Sequence, residues 1–203
     1  MLLLGLVGGI ASGKTLVAGC FRDLGAVVLN ADEAGHQVLR DAEVIAVLNN
    51  RWGESILDSN GQISRPAVAK IVFAPGNIAE KAFLESVTHP RIQINLEQQL
   101  AELQSQPSPP PLAVLDAALL FEAGWDAICD FVVFVDCPRY LRLKRALSRG
   151  WSAEQFAARE TAQMAIDDKR ARSDFVLDNS QSPENTAGQV QALWQQLLAK
   201  HAS

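Results

Sequence analysis

Short, uninterrupted runs of apolar residues recur along the chain, and polar or turn-forming residues bound each of them. Runs of this kind, rich in valine, leucine and phenylalanine, are typical of strands that are buried on both faces of a sheet. Helical patterns separate most of the runs, which favours parallel pairing. The sequence therefore predicts an α/β fold with a parallel sheet of five strands, at residues 2–7, 26–29, 112–115, 131–135 and 174–177.

The segment after the first strand has the spacing of an amphipathic helix. Residues 14–24 place five apolar side chains on one helical face, and Gly25 follows as a stop signal. The members of this face are Leu16, Val17, Cys20, Phe21 and Leu24.

The gap between the second and third strands, residues 36–111, is too long for one crossover helix. It contains helical patterns, a turn at residues 58–62 ("DSNGQ") and a helix that is expected to open near Pro90. A proline-rich stretch at residues 104–111 is typical of a stiff connector. We interpret the gap as a helical insertion on the core rather than as a separate domain.

Composition narrows the possible functions. The chain has 203 residues, of which 48% are hydrophobic and 20% charged, as in an ordinary globular protein. No apolar run approaches the ~20 residues that a membrane-spanning helix needs. Three cysteines without CxxC spacing predict neither a disulfide framework nor a zinc site. We therefore expect a cytoplasmic protein with reduced thiols and no membrane partner.

The charge is unevenly distributed along the chain. A net charge of −5 argues against general nucleic-acid binding. Residues 138–172, however, hold nine of the 18 basic residues and only four acidic ones, so this window carries +5 and the remainder −10. We expect this segment to contact an anionic ligand. Arg145 and Arg149 within it are spaced i, i+4, which puts them on one face of a helix.

Residues 8–15, "GGIASGKT", match the phosphate-binding pattern GxxxxGK[ST] at every fixed position. The pattern lies between a predicted strand and a predicted helix, which is the context it requires. Glycines let backbone N–H groups turn toward phosphate oxygens. Lys14 would reach the β- and γ-phosphates, and Thr15 would offer its hydroxyl to Mg²⁺. The loop therefore predicts binding of a nucleoside triphosphate.

A phosphate loop alone does not distinguish GTPases, ATPases, small-molecule kinases and inert nucleotide binders. Residues 32–35, "DEAG", match a GTPase DxxG, but they follow Thr15 by only 17 residues and no NKxD motif is present. A small kinase needs a carboxylate at a strand end, an acceptor pocket and a mobile basic lid. The candidate for the carboxylate is Asp32, the candidate for the acceptor pocket is the insertion, and the candidate for the lid is the basic segment 138–172. A helix cap is the alternative role for Asp32, and a solvated helix face is the alternative for the basic residues.

Several segments, taken in their order, resemble the dephospho-CoA kinase family. They are "GLVGGIASGKT", "VVLNADEAGHQV", "NGQISRPAVAKIVF", "VTHPRI", "LDAALLFE", "VVFVDCP", "LKRALSR" and "SDFVLDN". The resemblance extends over about residues 2–179 and implies a P-loop kinase that transfers the γ-phosphate of ATP to the ribose 3′-hydroxyl of dephospho-CoA. This is the last step of coenzyme A synthesis. The implied organisation is a core at residues 1–35, 111–137 and 173–203, an acceptor-binding helical insertion at 36–110 and a basic helical lid at 138–172.

The resemblance also implies roles for individual residues. Asp32 would be the general base toward the 3′-hydroxyl, and Lys14, Arg145 and Arg149 would stabilise the transferring phosphate. Mg²⁺ would bind Thr15 and Asp116, although Asp116 could equally order the loop beneath it. The ATP-binding residues would be Gly8, Gly9, Ala11, Ser12, Gly13, Lys14, Thr15, Leu16 and Asn179. The acceptor-binding residues would be Asp32, Arg65, His89, Pro90, Leu120 and Glu122, with a helix cap as the alternative for His89.

Four positions depart from the family pattern. Ala11 replaces a glycine of the loop and Leu16 stands where a second hydroxyl is common, but neither change removes a backbone donor or the proposed Mg²⁺ ligand. Asn30 replaces the first aspartate of "DAD", so Asp32 is the only carboxylate of that pair. Ala118 stands where a proline is usual, so the loop that follows it is expected to take a different path.

Two other functions stay open from the sequence. A nucleoside or nucleotide kinase would share the core, but the "THPRI" and "NGQISR" segments have no obvious place in that group. A regulator that binds a nucleotide without catalysis would share the loop, yet it has no evident need of Lys14, Thr15 and Asp32 together. No apolar seam is evident, so we expect a monomer whose partners are the small molecules ATP and dephospho-CoA.

Overall fold

Five parallel strands form one sheet within residues 1–74 and 76–201, which the computed structural model describes. They are β1 (Leu2–Gly8), β2 (Val27–Asn30), β3 (Leu112–Asp116), β4 (Phe131–Asp136) and β5 (Phe175–Asp178). Their order across the sheet is β2-β3-β1-β4-β5, with every neighbouring pair parallel. The five predicted strands are confirmed, and their ends differ from the prediction by one residue at most.

Helices connect the strands. They are α1 (Lys14–Asp23), α2 (Ala31–Val38), α3 (Ala42–Trp52), α4 (Arg65–Val72), α5 (Ile78–Gln104), α6 (Arg139–Ser148), α7 (Ala153–Thr161), α8 (Ile166–Ala171) and α9 (Pro183–His201). Within the described ranges, none of these helices combines the length and the apolarity that crossing a membrane requires. Pro75 of the predicted insertion and residues 202–203 of the predicted core lie outside the described residues.

The chain divides into two units. Unit 1 consists of residues 1–30 and the described residues from 100 onward, and it contains the sheet together with α1 and α6 to α9. Unit 2 consists of residues 31–99 and contains α2, α3, α4 and most of α5.

The centre of unit 1 is β1, which is hydrogen-bonded on both edges. Leu4 lies opposite Val114 of β3 on one side and Phe131 of β4 on the other. All seven residues of β1 are buried, which explains why this strand lacks the alternation of a half-exposed one. Apolar side chains of α1 and α9, including Phe21 and Trp194, complete the same core.

The predicted apolar face of α1 is wrong at Leu16. Val17, Ala18 and Phe21 are buried, whereas 38% of Leu16 is exposed. Successive residues of a helix are separated by about 100° around its axis. The core-facing direction is set by Val17 and Phe21, and Leu16 therefore lies beyond the edge of that face, in the first turn after the phosphate loop.

The prediction that a helix opens near Pro90 is also wrong. The helix α5 begins at Ile78 and continues through Pro90 to Gln104. Proline has no N–H to donate to the carbonyl four residues earlier, so it normally ends or kinks a helix. Here Val87, Ile92 and Leu96, on both sides of the proline, are buried. We infer that their burial offsets the lost hydrogen bond.

Candidate active site

The chain between β1 and α1 forms a tight loop. The Ser12 N–H donates to the Gly9 carbonyl at 3.0 Å, and Gly13, with φ 98°, precedes α1 without a side-chain cap on the helix N-terminus. Ala11 has φ 59° and is the single non-glycine residue of the described chain with a positive φ. A Cβ atom in the left-handed region costs about 1–2 kcal/mol. Ala11 therefore carries backbone strain that a glycine would relieve.

The three glycines of this loop leave no room for side chains. A Cβ atom on Gly8 would lie 2.6 Å from the Ser12 hydroxyl and 2.8 Å from the Val135 carbonyl oxygen. One on Gly9 would lie 2.8 Å from the guanidinium of Arg142, and one on Gly13 would collide with the side-chain amide of Asn179. The glycine spacing is thus required by close packing in this structure.

Arg145 and Asn179, two of the predicted site residues, meet on the Ser12 carbonyl oxygen. Asn179 donates to it from Nδ2 at 2.6 Å, and Arg145 from Nη1 at 2.9 Å. Arg145 also donates from Nη2 to the Asn179 carbonyl oxygen at 2.8 Å, and the Thr186 hydroxyl donates to Asn179 Oδ1 at 2.8 Å. These bonds join α6 and the end of β5 to the loop, so the loop is held from outside as well as by its own turn.

Arg142 also contacts the loop, although sequence reasoning did not single it out. Its side chain is almost fully buried, and it donates to the Cys137 carbonyl oxygen at 3.0 Å and to that of Ile10 at 3.4 Å. Its charge is balanced by Glu160, 2.8 Å away, which also accepts from Arg139 at 2.9 Å. The sequence signal was only the basic run of α6, which does not tell a buried arginine from an exposed one.

A cavity of about 430 Å³ lies beside this part of the loop. Its wall includes Gly9 and Ile10 of the loop, Arg142 of α6, and Ile166 and Lys169 of α8. The same wall includes Arg139 and the carboxylates Asp136 and Glu160. Glu160 is paired with Arg139 and Arg142, so this wall carries charges of both signs.

Lys169 is the second buried cation that sequence reasoning did not single out. Only 1% of the residue is exposed, and its ammonium contacts Glu122 at 2.9 Å and the Ala118 carbonyl oxygen at 2.9 Å. Burial lowers the pKa of Lys169, Glu122 opposes that shift, and the charge of Lys14 adds to it. Glu122, predicted to bind the acceptor, also accepts the Met164 N–H at 2.8 Å. It therefore ties the α7–α8 segment to the loop after β3.

Lys14 and Asp116 face each other at the ends of α1 and β3. The lysine ammonium lies 3.9 Å from Asp116 Oδ1, and both side chains are more than four-fifths buried. Thr15, the other predicted Mg²⁺ ligand, is exposed in the first turn of α1. Within residues 1–74 and 76–201, no three His, Cys, Asp or Glu side chains form a group that could hold a metal ion by themselves.

Other predicted residues of unit 1 lie apart from this cluster. Arg149 is exposed and directly follows Ser148, the last residue of α6. Leu120 is fully buried, and a Cβ atom on Gly5 would lie 2.7 Å from it. Leu120 therefore belongs to the core in this conformation.

The remaining predicted residues belong to unit 2. Asp32 is exposed in the first turn of α2, and Arg65 is the exposed first residue of α4. His89 and Pro90 lie inside α5, so the alternative role of His89 as a helix cap is wrong. A cavity of about 290 Å³ lies between the end of α2 and the start of α4, and Arg65 lines it.

The comparisons with known proteins agree with one another. The family model described as CoaE, dephospho-CoA kinase, matches residues 2–185. A dephospho-CoA kinase of Syntrophotalea carbinolica is 38% identical over 98% of this chain and 93% of its own. A crystal structure from Thermus thermophilus has a TM-score of 0.81 at 31% identity and covers 97% of both chains. The dephospho-CoA kinase of Campylobacter jejuni has a TM-score of 0.72 at 25% identity and covers 98% of both.

The fold and the loop agree with these matches. These solved structures match at least 97% of the chain, so the likeness includes the five-stranded sheet and the loop after its central strand. The family match covers both units and all the strands. The chain belongs to the dephospho-CoA kinase family.

Proposed function

We propose that the protein transfers the γ-phosphate of ATP to the ribose 3′-hydroxyl of dephospho-CoA, giving coenzyme A and ADP. The observation that carries this proposal is the family match over residues 2–185 in a chain whose phosphate loop is intact. The proposal includes a cytoplasmic location and a monomeric state.

ATP is the ligand proposed for the loop, through Gly8, Gly9, Ala11, Ser12, Gly13, Lys14, Thr15 and Leu16. Two features support it. The N-terminus of α1 follows Gly13 without a side-chain cap, which leaves its backbone N–H groups available to an anion, and the Ser12 hydroxyl is buried without a hydrogen-bond partner among the described residues. A buried hydroxyl without a partner is costly, and a phosphate oxygen is an acceptor that would satisfy it. Asn179, which directly follows β5, is proposed to lie beside the bound nucleotide.

Charge neutralisation is proposed for the basic residues at the loop. Lys14 contacts the transferring phosphate, and Arg145 and Arg149 of the proposed lid, residues 138–172, neutralise the charge that develops during transfer. Arg145 is fixed by three hydrogen-bond acceptors in unit 1. Arg149 is exposed and would have to become ordered on binding.

Asp32 is the proposed general base. Its carboxylate accepts the proton of the 3′-hydroxyl, and the hydroxyl oxygen forms a bond to the γ-phosphorus. The bond between the γ-phosphorus and the oxygen that bridges it to the β-phosphorus breaks, and ADP leaves with that electron pair. Asp32 suits this role because it is exposed two residues after the end of β2.

A divalent magnesium ion fits the chemistry of Thr15 and Asp116. A hydroxyl and a carboxylate oxygen are hard donors of the kind that Mg²⁺ prefers, and Mg²⁺ usually completes its coordination with phosphate oxygens and water. When bound, such an ion supplies positive charge to the β- and γ-phosphates. Asp116 Oδ1 lies 3.9 Å from the Lys14 ammonium. An ion held by Asp116 would therefore lie in the same region as the lysine.

The acceptor is proposed to bind through Asp32, Arg65, His89, Pro90, Leu120 and Glu122. Arg65 has the most direct support, because it lines a cavity of unit 2. Glu122 and Leu120 would act by shaping the loop after β3, since one is paired with Lys169 and the other is fully buried.

The test is an assay for ADP release with ATP and Mg²⁺, run with dephospho-CoA, with adenosine or AMP, and without acceptor. We expect release that depends strictly on dephospho-CoA, with coenzyme A as the product. ADP release with adenosine or AMP but not with dephospho-CoA would mean that the acceptor is a nucleoside or nucleotide. ATP binding without ADP release under any condition would indicate a non-catalytic nucleotide binder.

A further inference from the structure

The unit 2 cavity, of about 290 Å³, has walls from two separate parts of the unit. One wall is the end of α2 and the residues after it, with His36, Leu39 and Arg40. The other is the turn at residues 58–62 and the first residue of α4, Arg65. The turn is held in place by backbone pairing of Leu57 with Ile63, and the other wall follows directly on α2.

The cavity collects basic groups that have no ionic partner. His36, Arg40 and Arg65 line it, and among the described residues none of the three forms an ion pair or a side-chain hydrogen bond. Other arginines of unit 2 are paired, Arg51 with Glu80 at 2.7 Å and Arg91 with Glu43 at 3.7 Å. The cavity arginines are thus left without an ionic partner, whereas the other two arginines of unit 2 are paired.

The one carboxylate on the wall, Asp58, offsets only one of the two arginine charges, and it also closes its own turn. Asp58 Oδ1 accepts the backbone N–H groups of Asn60 and Gln62 at 2.8 and 3.0 Å. An aspartate that closes a turn in this way is a structural element of that turn. The two arginines therefore leave the cavity with a net positive charge even when His36 is neutral.

The cavity is also aligned with Asp32 along α2. Ala31, Ala34 and Val38 form the buried face of this helix. Asp32 and His36 are four residues apart and lie together on the side of the helix away from that face, about 6 Å apart along the axis at 1.5 Å per residue. The carboxylate that would contact an acceptor hydroxyl is thus followed, one turn later, by the first basic group of the cavity.

We propose that the unit 2 cavity binds the 5′-diphosphate of the acceptor, with Arg40 and Arg65 as its ligands and His36 as a third donor. This inference rests on the proposed function, because it takes dephospho-CoA as the acceptor and Asp32 as the base for its 3′-hydroxyl. In dephospho-CoA the 3′-hydroxyl and the 5′-diphosphate are separated by one ribose, which matches one turn of α2 between Asp32 and His36. Guanidinium groups bind phosphate oxygens in a planar, two-pronged geometry.

The cavity also gives a reason for acceptor choice. A nucleoside without a 5′-diphosphate would leave two arginines unpaired and would gain nothing from them. Hydrogen bonds between charged groups contribute about 1.5–3 kcal/mol each, which corresponds to ~10- to 100-fold in affinity. The cavity would therefore favour dephospho-CoA over adenosine through the ground state and the transition state alike, and its effect should be seen in KM.

The experiment compares Arg40→Gln, Arg65→Gln and the double variant with the wild type. Lys70→Gln is the matched control, since Lys70 is an exposed basic residue of α4 that does not line the cavity. We expect the KM for dephospho-CoA to rise ~10-fold or more in each single variant, with the KM for ATP and kcat within twofold of the wild type. Lys70→Gln should change neither KM, and Arg65→Lys should recover part of the affinity lost in Arg65→Gln.

A second readout depends on charge rather than on folding. The cavity arginines are exposed, so salt should screen their attraction for a diphosphate. The wild-type KM for dephospho-CoA should rise with ionic strength, and the rise should be smaller in the double variant. Equal thermal denaturation of all variants would exclude misfolding as the cause of a raised KM.

Each outcome separates this inference from the proposed function. If the wild type turns over dephospho-CoA and the arginine variants keep its KM within twofold, the cavity does not bind the diphosphate and the proposed function stands. If the variants lose kcat at an unchanged KM, the arginines act in the transfer itself and the inference is likewise overturned. If the wild type does not turn over dephospho-CoA, the proposed function fails first, and the inference fails with it.

Discussion

The phosphate loop and the unit 2 cavity treat their charged side chains in opposite ways. At the loop, Arg145 donates to two backbone carbonyl groups and Arg142 is 2% exposed and paired with Glu160. At the cavity, Arg40 and Arg65 are exposed and have no ionic partner among the described residues. Side chains that are already fixed lose little rotamer freedom when a ligand binds, whereas exposed arginines lose up to ~2 kcal/mol each.

The loop is therefore organised by folding, whereas the side chains of the cavity would become fixed only when a ligand binds. The loop geometry is completed by bonds that also stabilise unit 1, so changes there should alter stability together with nucleotide binding. The cavity contributes little to the stability of unit 2, so changes there should alter acceptor binding alone. The following variants test that contrast.

Asp32→Asn should give the largest loss of activity. If Asp32 is the general base, turnover falls ~10²-fold or more, since general-base catalysis commonly has this size. ATP binding should stay near the wild-type affinity, because the amide preserves the shape of an exposed side chain. Single-turnover kinetics and ATP titration measure the two effects. Unimpaired turnover would remove Asp32 from the mechanism and would leave unit 2 with a binding role only.

Asn179→Ala should give the largest loss of stability. The change removes the donor to the Ser12 carbonyl oxygen and the acceptor of the Thr186 hydroxyl, both in buried surroundings. Arg145 still donates to the Ser12 carbonyl oxygen, and the Thr186 hydroxyl still has the Ser182 carbonyl oxygen as an acceptor. The loss is therefore two hydrogen bonds of about 0.5–1.5 kcal/mol each, and we expect the free energy of unfolding to fall by about 2 kcal/mol in urea denaturation. Gln181→Ala, an exposed position after the same strand, should change it by less than ~0.5 kcal/mol. Equal effects of the two variants would contradict a role of Asn179 in holding the loop.

Glu160→Gln should have an intermediate, pH-dependent effect. Burial raises the pKa of Glu160, but the hydrogen bonds from Arg139 and Arg142 outweigh it and leave the pKa below its usual value. A carboxylate whose pKa is lower in the folded than in the unfolded protein adds stability above the unfolded pKa of about 4.3. That contribution is lost as the pH falls through the folded pKa. We expect Glu160→Gln to cost about 1–2 kcal/mol at pH 7.

The pH dependence supplies the control for this variant. The difference in unfolding free energy between wild type and Glu160→Gln should be constant near neutral pH and should shrink on acidification below about pH 4. Urea denaturation at a series of pH values measures it. A difference that is the same at pH 3 and pH 7 would show that the Glu160 charge does not stabilise the Arg142 contact with the loop.

Ala11→Gly should have the smallest effect, and it should be stabilising. Relief of the positive φ gains about 1–2 kcal/mol, and the greater freedom of glycine in the unfolded chain takes back about 0.4–1 kcal/mol. We expect a net gain of about 0.5–1 kcal/mol in unfolding experiments. Ala187→Gly, at an exposed position inside α9, should instead destabilise by about 1 kcal/mol. A loss at both positions would mean that Ala11 is not strained.

Much of unit 1 could be predicted from the sequence, because its signals are local. The continuous apolar runs located all five strands to within one residue, since strands buried on both faces need apolar residues at every position. The pattern of residues 8–15 located the phosphate loop, because the glycine spacing is required by contacts that leave no room for a Cβ atom. The length and pattern of the gap between the second and third strands also predicted helices there, and α3, α4 and α5 lie in it.

Other features could not be predicted, because they depend on partners distant in the chain. The same basic run contains Arg142, which is buried, and Arg149, which is exposed, and no local signal distinguishes them. Lys169 is buried because Glu122, 47 positions earlier, supplies the opposite charge. Pro90 was expected near the start of a helix, but burial on both sides of it keeps α5 continuous.

The positions of the strands along the chain, the phosphate loop and the family of the chain could all be read from local sequence patterns. The tertiary structure shows which charges hold the loop and which are exposed at the unit 2 cavity. Ser12 accepts hydrogen bonds from Arg145 and Asn179, which are 133 and 167 positions away. Local patterns fix backbone angles and the faces of helices, whereas burial and ion pairing depend on which segments the fold brings into contact.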